Sequence, residues 1–159
     1  MGSETLQTDV YFPQVEDIKS AAHKLKGVIH STPLQLSYNL SEQYACDLYL
    51  KREDTQIVRS YKIRGAYNKI TSLSAEKLDA GIVCASAGNH AQGVALSCQL
   101  LKVHGKIYMP SPTPKQKVQQ VKMFGKDQVE VILVGDTFDD AYAEAKHDCE
   151  QRGSTFIHP

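Results

Sequence analysis

Residues 60–66, SYKIRGA, carry a lysine suited to covalent chemistry. A lysine in the first turn of a helix lies beside the positive end of the helix dipole, and Arg64 adds positive charge nearby. Both effects disfavour the ammonium form of Lys62, so its amine is more nucleophilic and more ready to form a Schiff base. On spacing alone, a solvent-facing lysine on an amphipathic helix is the alternative.

Residues 86–93, SAGNHAQG, follow a predicted strand and open a predicted helix. Small residues let a ligand approach the backbone, and free N–H groups at a helix start attract an anion. The segment is neither common nucleotide loop, because Val94 and Ala95 replace the Lys-Ser/Thr pair and the G-x-G-x-x-G triplet is absent. A tight turn with Asn89 in a left-handed conformation explains the segment equally well.

Together these segments resemble the threonine dehydratases (threonine deaminases). That family belongs to the fold-type II pyridoxal-phosphate enzymes, which have the tryptophan-synthase-β-like fold. KRED at 51–54 and GDTF at 135–138 are similar to the same family. The resemblance runs from about Val15 to Pro159, which is nearly the whole chain.

The resemblance implies a role for each matching residue. Lys62 is the implied catalytic residue, which binds pyridoxal phosphate through a Schiff base and later moves protons at the substrate Cα. Asn89 would contact the 3′-oxygen of the cofactor, and Tyr61 would pack beside its ring, where the family usually has Phe. The substrate carboxylate would be held by Ser86 and the backbone amides of Ala87, Gly88, Asn89 and His90.

The implied reaction converts L-threonine to 2-oxobutanoate and ammonia, a step that leads to isoleucine in many organisms. L-serine remains open as a substrate, because serine dehydratases and serine racemase share similar motifs. The triplet Ile63-Arg64-Gly65 argues against the sulfur-assimilating relatives. Two other classes remain as alternatives, a non-catalytic ligand-binding α/β domain and a nucleotide-binding α/β domain.

The chain from about residue 80 onward alternates strand and helix patterns. Strands are predicted at 81–85, 106–109, 129–134 and 155–158, with helices between them. Thr113 and Thr137 are predicted N-caps, with Pro114 at the first helical position, and Gly125 and Gly153 are predicted helix stops. This alternation predicts an α/β fold, a four-stranded parallel sheet with helices on both faces.

The first eighty residues predict an N-terminal helical segment. An amphipathic helix is expected over 15–26, a strand over 47–51, and a helix capped by Ser60 that runs to about Ser72. No linker rich in Gly, Pro or Ser separates these elements from the alternating part.

The family resemblance also predicts a domain division. The family places its glycine-rich phosphate loop in a larger domain, and this sequence contains no Gly-Gly pair. We therefore expect an N-terminal fragment, in which residues 1–55 would pack on a missing large domain and residues 56–159 form the small domain. By itself the chain is expected to hold pyridoxal phosphate weakly and to be inactive. The strand at 47–51 is expected to stay unpaired, or to pair with a second copy.

Composition excludes several partners. The 18 basic and 18 acidic side chains balance, which argues against nucleic acid or an anionic membrane as partner. The 4 cysteines and the histidines are scattered, without the spacing of a metal site. Reduced thiols and the absence of a long apolar run indicate a cytoplasmic protein. We expect a homo-oligomer that acts on a small amino acid.

Overall fold

The computed structural model describes residues 11–159. Its central feature is a parallel sheet built from β3 (Ile82–Ala85), β4 (Gly105–Met109), β5 (Val129–Leu133) and β6 (Thr155–Phe156). The strand order is β5-β4-β3-β6, and every pairing is parallel. The predicted four-stranded α/β fold is therefore confirmed.

Helices cover both faces of this sheet, as the alternation predicted. The helices are α1 (Val15–Leu25), α2 (Tyr38–Tyr44), α3 (Lys62–Ile70), α4 (Ala75–Asp79), α5 (Asn89–Leu101), α6 (Lys115–Gly125) and α7 (Phe138–Arg152). On one face, α3, α5 and α6 pack against Ile82, Cys84 and Ile107. On the other face, α7 packs against Val83 and Tyr108.

Strand β3 shows why a continuous apolar run forms a central strand. Its four residues are all buried, with Ile82 and Cys84 turned to one face and Val83 and Ala85 to the other. Successive side chains alternate between the faces of a sheet, and both faces here are covered by helices. Every side chain of β3 is therefore buried against helices on one face or the other, which explains why all four residues are apolar.

Two predicted helix ends are confirmed at α7. The Thr137 side chain accepts the Asp140 N–H at 3.1 Å, and the Thr137 N–H donates to the Asp140 carboxylate at 2.9 Å. This reciprocal pair satisfies two of the N–H groups that a helix start leaves free. At the other end, Gly153 adopts a left-handed conformation with φ 67°.

Two other predicted caps are wrong by one residue or more. Helix α6 begins at Lys115, so Pro114 rather than Thr113 occupies the N-cap position, and its side chain has no atom that could accept a hydrogen bond from the helix start. Helix α3 begins at Lys62 with Tyr61 before it, and it ends at Ile70. Ser60 is therefore not the N-cap residue, and its buried hydroxyl has no hydrogen-bond partner among the described residues.

The other boundary differences are small. Helix α5 starts at Asn89, two residues earlier than predicted, so Asn89 has a helical rather than a left-handed backbone. Strand β6 has two residues instead of the four predicted. Its backbone still stays beside β3, because the Ile157 N–H donates to the Val83 carbonyl at 2.8 Å.

The N-terminal segment contains an antiparallel hairpin that corrects another expectation. Strand β1 (Leu34–Leu36) pairs with β2 (Tyr49–Lys51), with Leu34 opposite Lys51. The strand predicted at 47–51 is thus shorter than expected, and it is paired within the chain instead of being unpaired or joined to a second copy. A short 3-10 turn, Glu53–Thr55, leads from this hairpin toward α3.

Candidate active site

Lys62 opens helix α3 at one end of the α3–α5 contact. It is the first helical residue and is partly exposed, and the preceding Tyr61 is mostly exposed. The Lys62 ammonium lies 5.5 Å from the centroid of the Tyr61 ring. The electron-rich face of the ring therefore attracts the side chain and borders it on one side.

The loop from Ser86 to Gly88 joins the carboxyl end of β3 to the start of α5. The Ser86 N–H donates to the Tyr108 carbonyl at 3.0 Å, and the Gly88 N–H donates to the Ser86 hydroxyl at 3.3 Å. Gly88 is the N-cap of α5, and no side chain caps this helix. The first N–H groups of α5 can therefore bind an anion such as a carboxylate.

Gly93 brings the two motifs into direct contact. A Cβ atom on Gly93 would lie 3.1 Å from the carbonyl carbon and oxygen of Lys62, and 3.2 Å from the Ile63 nitrogen. Helix α5 can therefore approach the backbone of Lys62 only because residue 93 has no side chain. Sequence reasoning missed this role, although a glycine within a helix costs roughly 1 kcal/mol relative to alanine and so signals a close contact.

The His90 side chain has a role that its backbone position did not predict. It is buried, and its Nε2 lies 3.0 Å from the Ile157 carbonyl oxygen. A carbonyl only accepts, so Nε2 carries the hydrogen. Burial lowers the pKa of His90 despite this hydrogen bond, which favours the neutral ring. The side chain thus ties the start of α5 to the end of β6.

A pocket of about 270 Å³ lies beside Lys62. Its lining is formed by Tyr61, Lys62, Gly65, Ala66, His90, His158 and Pro159. It gathers Lys62, Tyr61 and His90 of the predicted site, whereas Ser86, Ala87, Gly88 and Asn89 are not part of this lining. His158 was not predicted as a site residue. It could have been predicted from its position just after the last predicted strand, since ligands of α/β sheets bind at the carboxyl ends of strands.

Comparison with known proteins identifies the family. The family described as "Pyridoxal-phosphate dependent enzyme" matches residues 25–159. The chain belongs to this family. The predicted family and the α/β fold are therefore confirmed, and the cofactor of the family is pyridoxal phosphate.

Individual relatives are more specific. The biosynthetic L-threonine dehydratase IlvA of Bacillus subtilis is 58% identical over 146 residues, which cover 92% of this chain and 35% of that protein. The chain thus spans about a third of the length of the curated relatives it matches. These relatives bear out the predicted resemblance to the threonine dehydratases.

Solved structures agree with this placement. The processed form of threonine deaminase isoform 2 from Solanum lycopersicum has a TM-score of 0.77 and 41% identity, covering 91% of this chain and 43% of that one. Maize serine racemase has a TM-score of 0.85 and 31% identity, covering 94% of this chain and 44% of that one. Both the dehydratase and the racemase backbones therefore resemble this chain.

The structure shows a partner for Arg64 that the sequence did not predict. Arg64 was expected to act on Lys62 as a nearby positive charge. Its guanidinium forms two hydrogen bonds to Glu53, at 2.7 and 2.8 Å. Arg64 is therefore the partner of a carboxylate in a charge-assisted, two-pronged contact.

Other kinds of site are not supported within residues 11–159. A larger pocket of about 390 Å³ lies at the amino ends of the strands, beside Gly81, Gly105 and Val129, and contains no predicted site residue. In that part of the chain no cluster of three or more His, Cys, Asp or Glu side chains could hold a metal ion. None of the described helices is both long and apolar enough to cross a membrane.

Proposed function

We propose that the protein carrying this chain uses pyridoxal phosphate to convert L-threonine to 2-oxobutanoate and ammonia: the β-hydroxyl leaves as water, and a water molecule is taken up again when the dehydrated product hydrolyses. The proposal rests on one observation above others. The backbone of Lys62 is in contact with Gly93 of the helix whose start can bind a carboxylate. A reactive amine and an anion site are thus parts of one packed unit. Relatives named threonine dehydratase and threonine deaminase support threonine as the substrate.

The residues of the Lys62 pocket fit this cofactor. The Lys62 side chain lines an open pocket of about 270 Å³, so an aldehyde can reach its amine. The exposed Tyr61 ring beside it offers a face for a planar heterocycle. Asn89 lies outside the lining of this pocket, exposed at the start of α5, and is proposed to contact the 3′-oxygen. When bound, the cofactor withdraws electrons from the substrate Cα, which makes the Cα proton acidic.

Lys62 would have two tasks in this proposal. Its Nζ binds the cofactor aldehyde before substrate arrives, and it later takes and returns a proton at the substrate Cα. Burial lowers the pKa of His90 beside it, which favours the neutral ring. The His90 side chain supports the pocket wall through its bond to the Ile157 carbonyl.

The start of α5 would hold the substrate carboxylate. The proposed donors are the Ser86 hydroxyl and the backbone amides of Ala87, Gly88, Asn89 and His90, of which the Gly88 N–H would have to leave the Ser86 hydroxyl to reach the carboxylate. The positive end of the α5 dipole adds to their attraction for an anion. A fixed carboxylate orients the Cα proton toward the amine that removes it.

L-Serine is a second candidate substrate, and D-serine a possible product. The similarity to maize serine racemase, at a TM-score of 0.85, favours this candidate. Threonine would give 2-oxobutanoate and ammonia, dehydration of serine followed by hydrolysis would give pyruvate and ammonia, and racemisation would give D-serine. Assays of these three products on the same preparation discriminate the candidates.

We expect Lys62→Ala to abolish cofactor attachment and to lower turnover at least about a hundredfold, because the variant loses both the attachment point and the proton carrier. Borohydride reduction followed by peptide mapping locates the attached cofactor, and trapping detects even a weak, exchangeable adduct. Lys69→Ala is the matched control, since Lys69 is exposed on the same helix. Labelling of a lysine other than Lys62 would contradict the assignment.

We further propose a cytoplasmic homo-oligomer that binds neither nucleic acid nor membrane. The balance of 18 basic and 18 acidic side chains supports the exclusion of polyanions as partners. Within the described residues the four cysteines are free thiols, which is typical of a reducing compartment. Sedimentation velocity on the purified protein measures the oligomeric state, and a monomer at all concentrations would contradict it. The division into residues 1–55 and 56–159 stays a prediction.

A further inference from the structure

Glu53 lies at the centre of a hydrogen-bond cluster that reaches helix α3. Its two carboxylate oxygens accept from Arg64 Nε at 2.8 Å and from the Arg64 terminal nitrogen at 2.7 Å. Thr32 Oγ1 donates to the same carboxylate at 2.6 Å, and Gln56 Nε2 at 3.4 Å. The parallel, two-pronged contact with Arg64 fixes direction as well as distance.

Gln56 extends this cluster into the backbone of the N-terminal segment. Gln56 is buried, and its amide accepts the His30 N–H at 3.0 Å and donates to the His30 carbonyl at 3.0 Å. The 3-10 turn that carries Glu53 is therefore held on one side by residues 30–32. On its other side it holds α3 through Arg64.

The Glu53 carboxylate is better shielded from water than the carboxylate of the neighbouring ion pair. The Glu53 side chain is 15% exposed and that of Arg64 is 34% exposed. The hydrogen bond from Arg64 lowers the pKa of Glu53 to about 2, despite partial burial. The pair between Arg52 and Asp54 has a similar distance of 2.7 Å, but its side chains are 36% and 58% exposed. It serves as a built-in control, because exposed pairs contribute little.

The geometry of α3 connects this pair to Lys62. Arg64 is two residues after Lys62, so the two side chains leave the helix about 200° apart. The backbone of Lys62 rests against Gly93, and no side chain caps the start of α3. The first turn of α3 is thus held at two places: its Lys62 backbone packs on α5, and its Arg64 side chain binds Glu53. Rotation of this turn would move the Lys62 amine away from its pocket.

We propose that Glu53 is a positioning residue for Lys62. By holding Arg64, it sets the rotation and position of the first turn of α3, and so the place where the Lys62 amine meets the cofactor aldehyde. This inference rests on the proposed role of Lys62. Glu53 itself touches neither the cofactor nor the substrate.

The test measures covalent labelling of Lys62 instead of turnover. The protein is mixed with pyridoxal phosphate, whose aldehyde condenses with the amine and releases water, and borohydride then reduces the C=N bond to a stable secondary amine. Quantitative peptide mapping gives the rate of labelling at Lys62 and at the other lysines. Glu53→Gln keeps the side-chain shape but loses the charged, two-pronged contact.

We expect Glu53→Gln to slow labelling of Lys62 roughly tenfold, the change that corresponds to loss of a hydrogen bond to a charged group. Labelling at the other lysines should be unchanged. Arg64→Lys keeps the positive charge but cannot make the two-pronged contact with Glu53, so its rate of Lys62 labelling should lie between those of wild type and Glu53→Gln. Asp54→Asn removes the exposed neighbouring pair and should match wild type.

Each failure has a separate signature. Wild-type labelling of Lys62 in folded Glu53→Gln protein would overturn the positioning role. So would a loss of labelling in proportion to the unfolded fraction measured by circular dichroism, since that result indicates stability alone. If Glu53→Gln does not fold, Arg64→Lys decides by the same criterion. If Lys62→Ala leaves total labelling unchanged, the proposed function itself fails, whatever Glu53 does.

Discussion

The sheet body, residues 81–159, and the N-terminal segment, residues 11–51, place their apolar side chains very differently. In the sheet body, Ile82, Val94 and Ile107 are fully buried between strands and helices. In the N-terminal segment, Leu34 and Tyr38 are 64% and 79% exposed. The sheet body buries most of its apolar side chains within itself, whereas the N-terminal segment leaves several of its large apolar side chains exposed.

The two regions differ in how far their sequence patterns determine their packing partners. The strand–helix alternation of the sheet body specifies its own partners, because each helix packs on the sheet that its neighbouring strands form. The hairpin of β1 and β2 pairs its backbone but leaves large side chains exposed, so its apolar pattern does not specify what they contact. Substitutions in the two regions should therefore have different consequences.

The largest expected difference concerns matched apolar truncations. Ile107→Ala, in the buried strand β4, should lower the free energy of unfolding by about 2–5 kcal/mol, through lost burial and a new cavity. Leu34→Ala, in β1, should change it by at most about 0.5 kcal/mol. Urea denaturation of both variants measures this. Equal losses would show that the exposed hairpin is as much a part of the folding core as the sheet.

A smaller effect is expected where the two motifs touch. Gly93→Ala should destabilise the protein by about 1–3 kcal/mol, because its Cβ would lie 3.1 Å from the Lys62 backbone. It should also slow borohydride-trapped labelling of Lys62, since α3 must shift. Gly65→Ala is the control for stability, because no atom lies within 4 Å of its added Cβ, and it should stabilise α3 by up to about 1 kcal/mol. Unchanged stability in Gly93→Ala would mean that α3 and α5 separate easily.

The smallest expected effect concerns the N-cap residues of one helix in each region. Thr137→Ala should cost about 1 kcal/mol, because its hydroxyl accepts the Asp140 N–H. Ser37 occupies the equivalent position before α2 in the N-terminal segment, but its side chain makes no capping bond. Ser37→Ala should therefore be nearly neutral. Thermal unfolding of the two variants checks the difference, and a larger loss for Ser37→Ala would reverse the interpretation of both caps.

Much of the sheet body could be predicted because its patterns are local. The four strands, their parallel arrangement and the Thr137 cap each depend on residues close in sequence. Boundaries were less predictable. Thr113 and Ser60 both have side chains that can cap a helix, but here the N-cap residues of α6 and α3 are Pro114 and Tyr61, each one residue later, so neither hydroxyl stands at the cap position.

The candidate site was predictable in its residue types and not in its contacts. Lys62 and the loop before α5 were predicted from the two motifs and their family resemblance. The Gly93 contact and the His90 bond to Ile157 join residues far apart in the chain, and the Glu53–Arg64 pair joins two different elements. No local pattern encodes such pairs, so the carboxylate partner of Arg64 was not predicted.

The position of β6 in the sheet has a consequence for the order of synthesis. Strand β3 pairs with β4 on one side, but on the other it pairs with β6, where Ile82 lies opposite Thr155. During translation one edge of β3 therefore stays open until a partner roughly seventy residues later leaves the ribosome. An open edge rich in Ile and Val is a template for wrong pairing between nascent chains. A chaperone that shields this edge would raise the yield of folded protein.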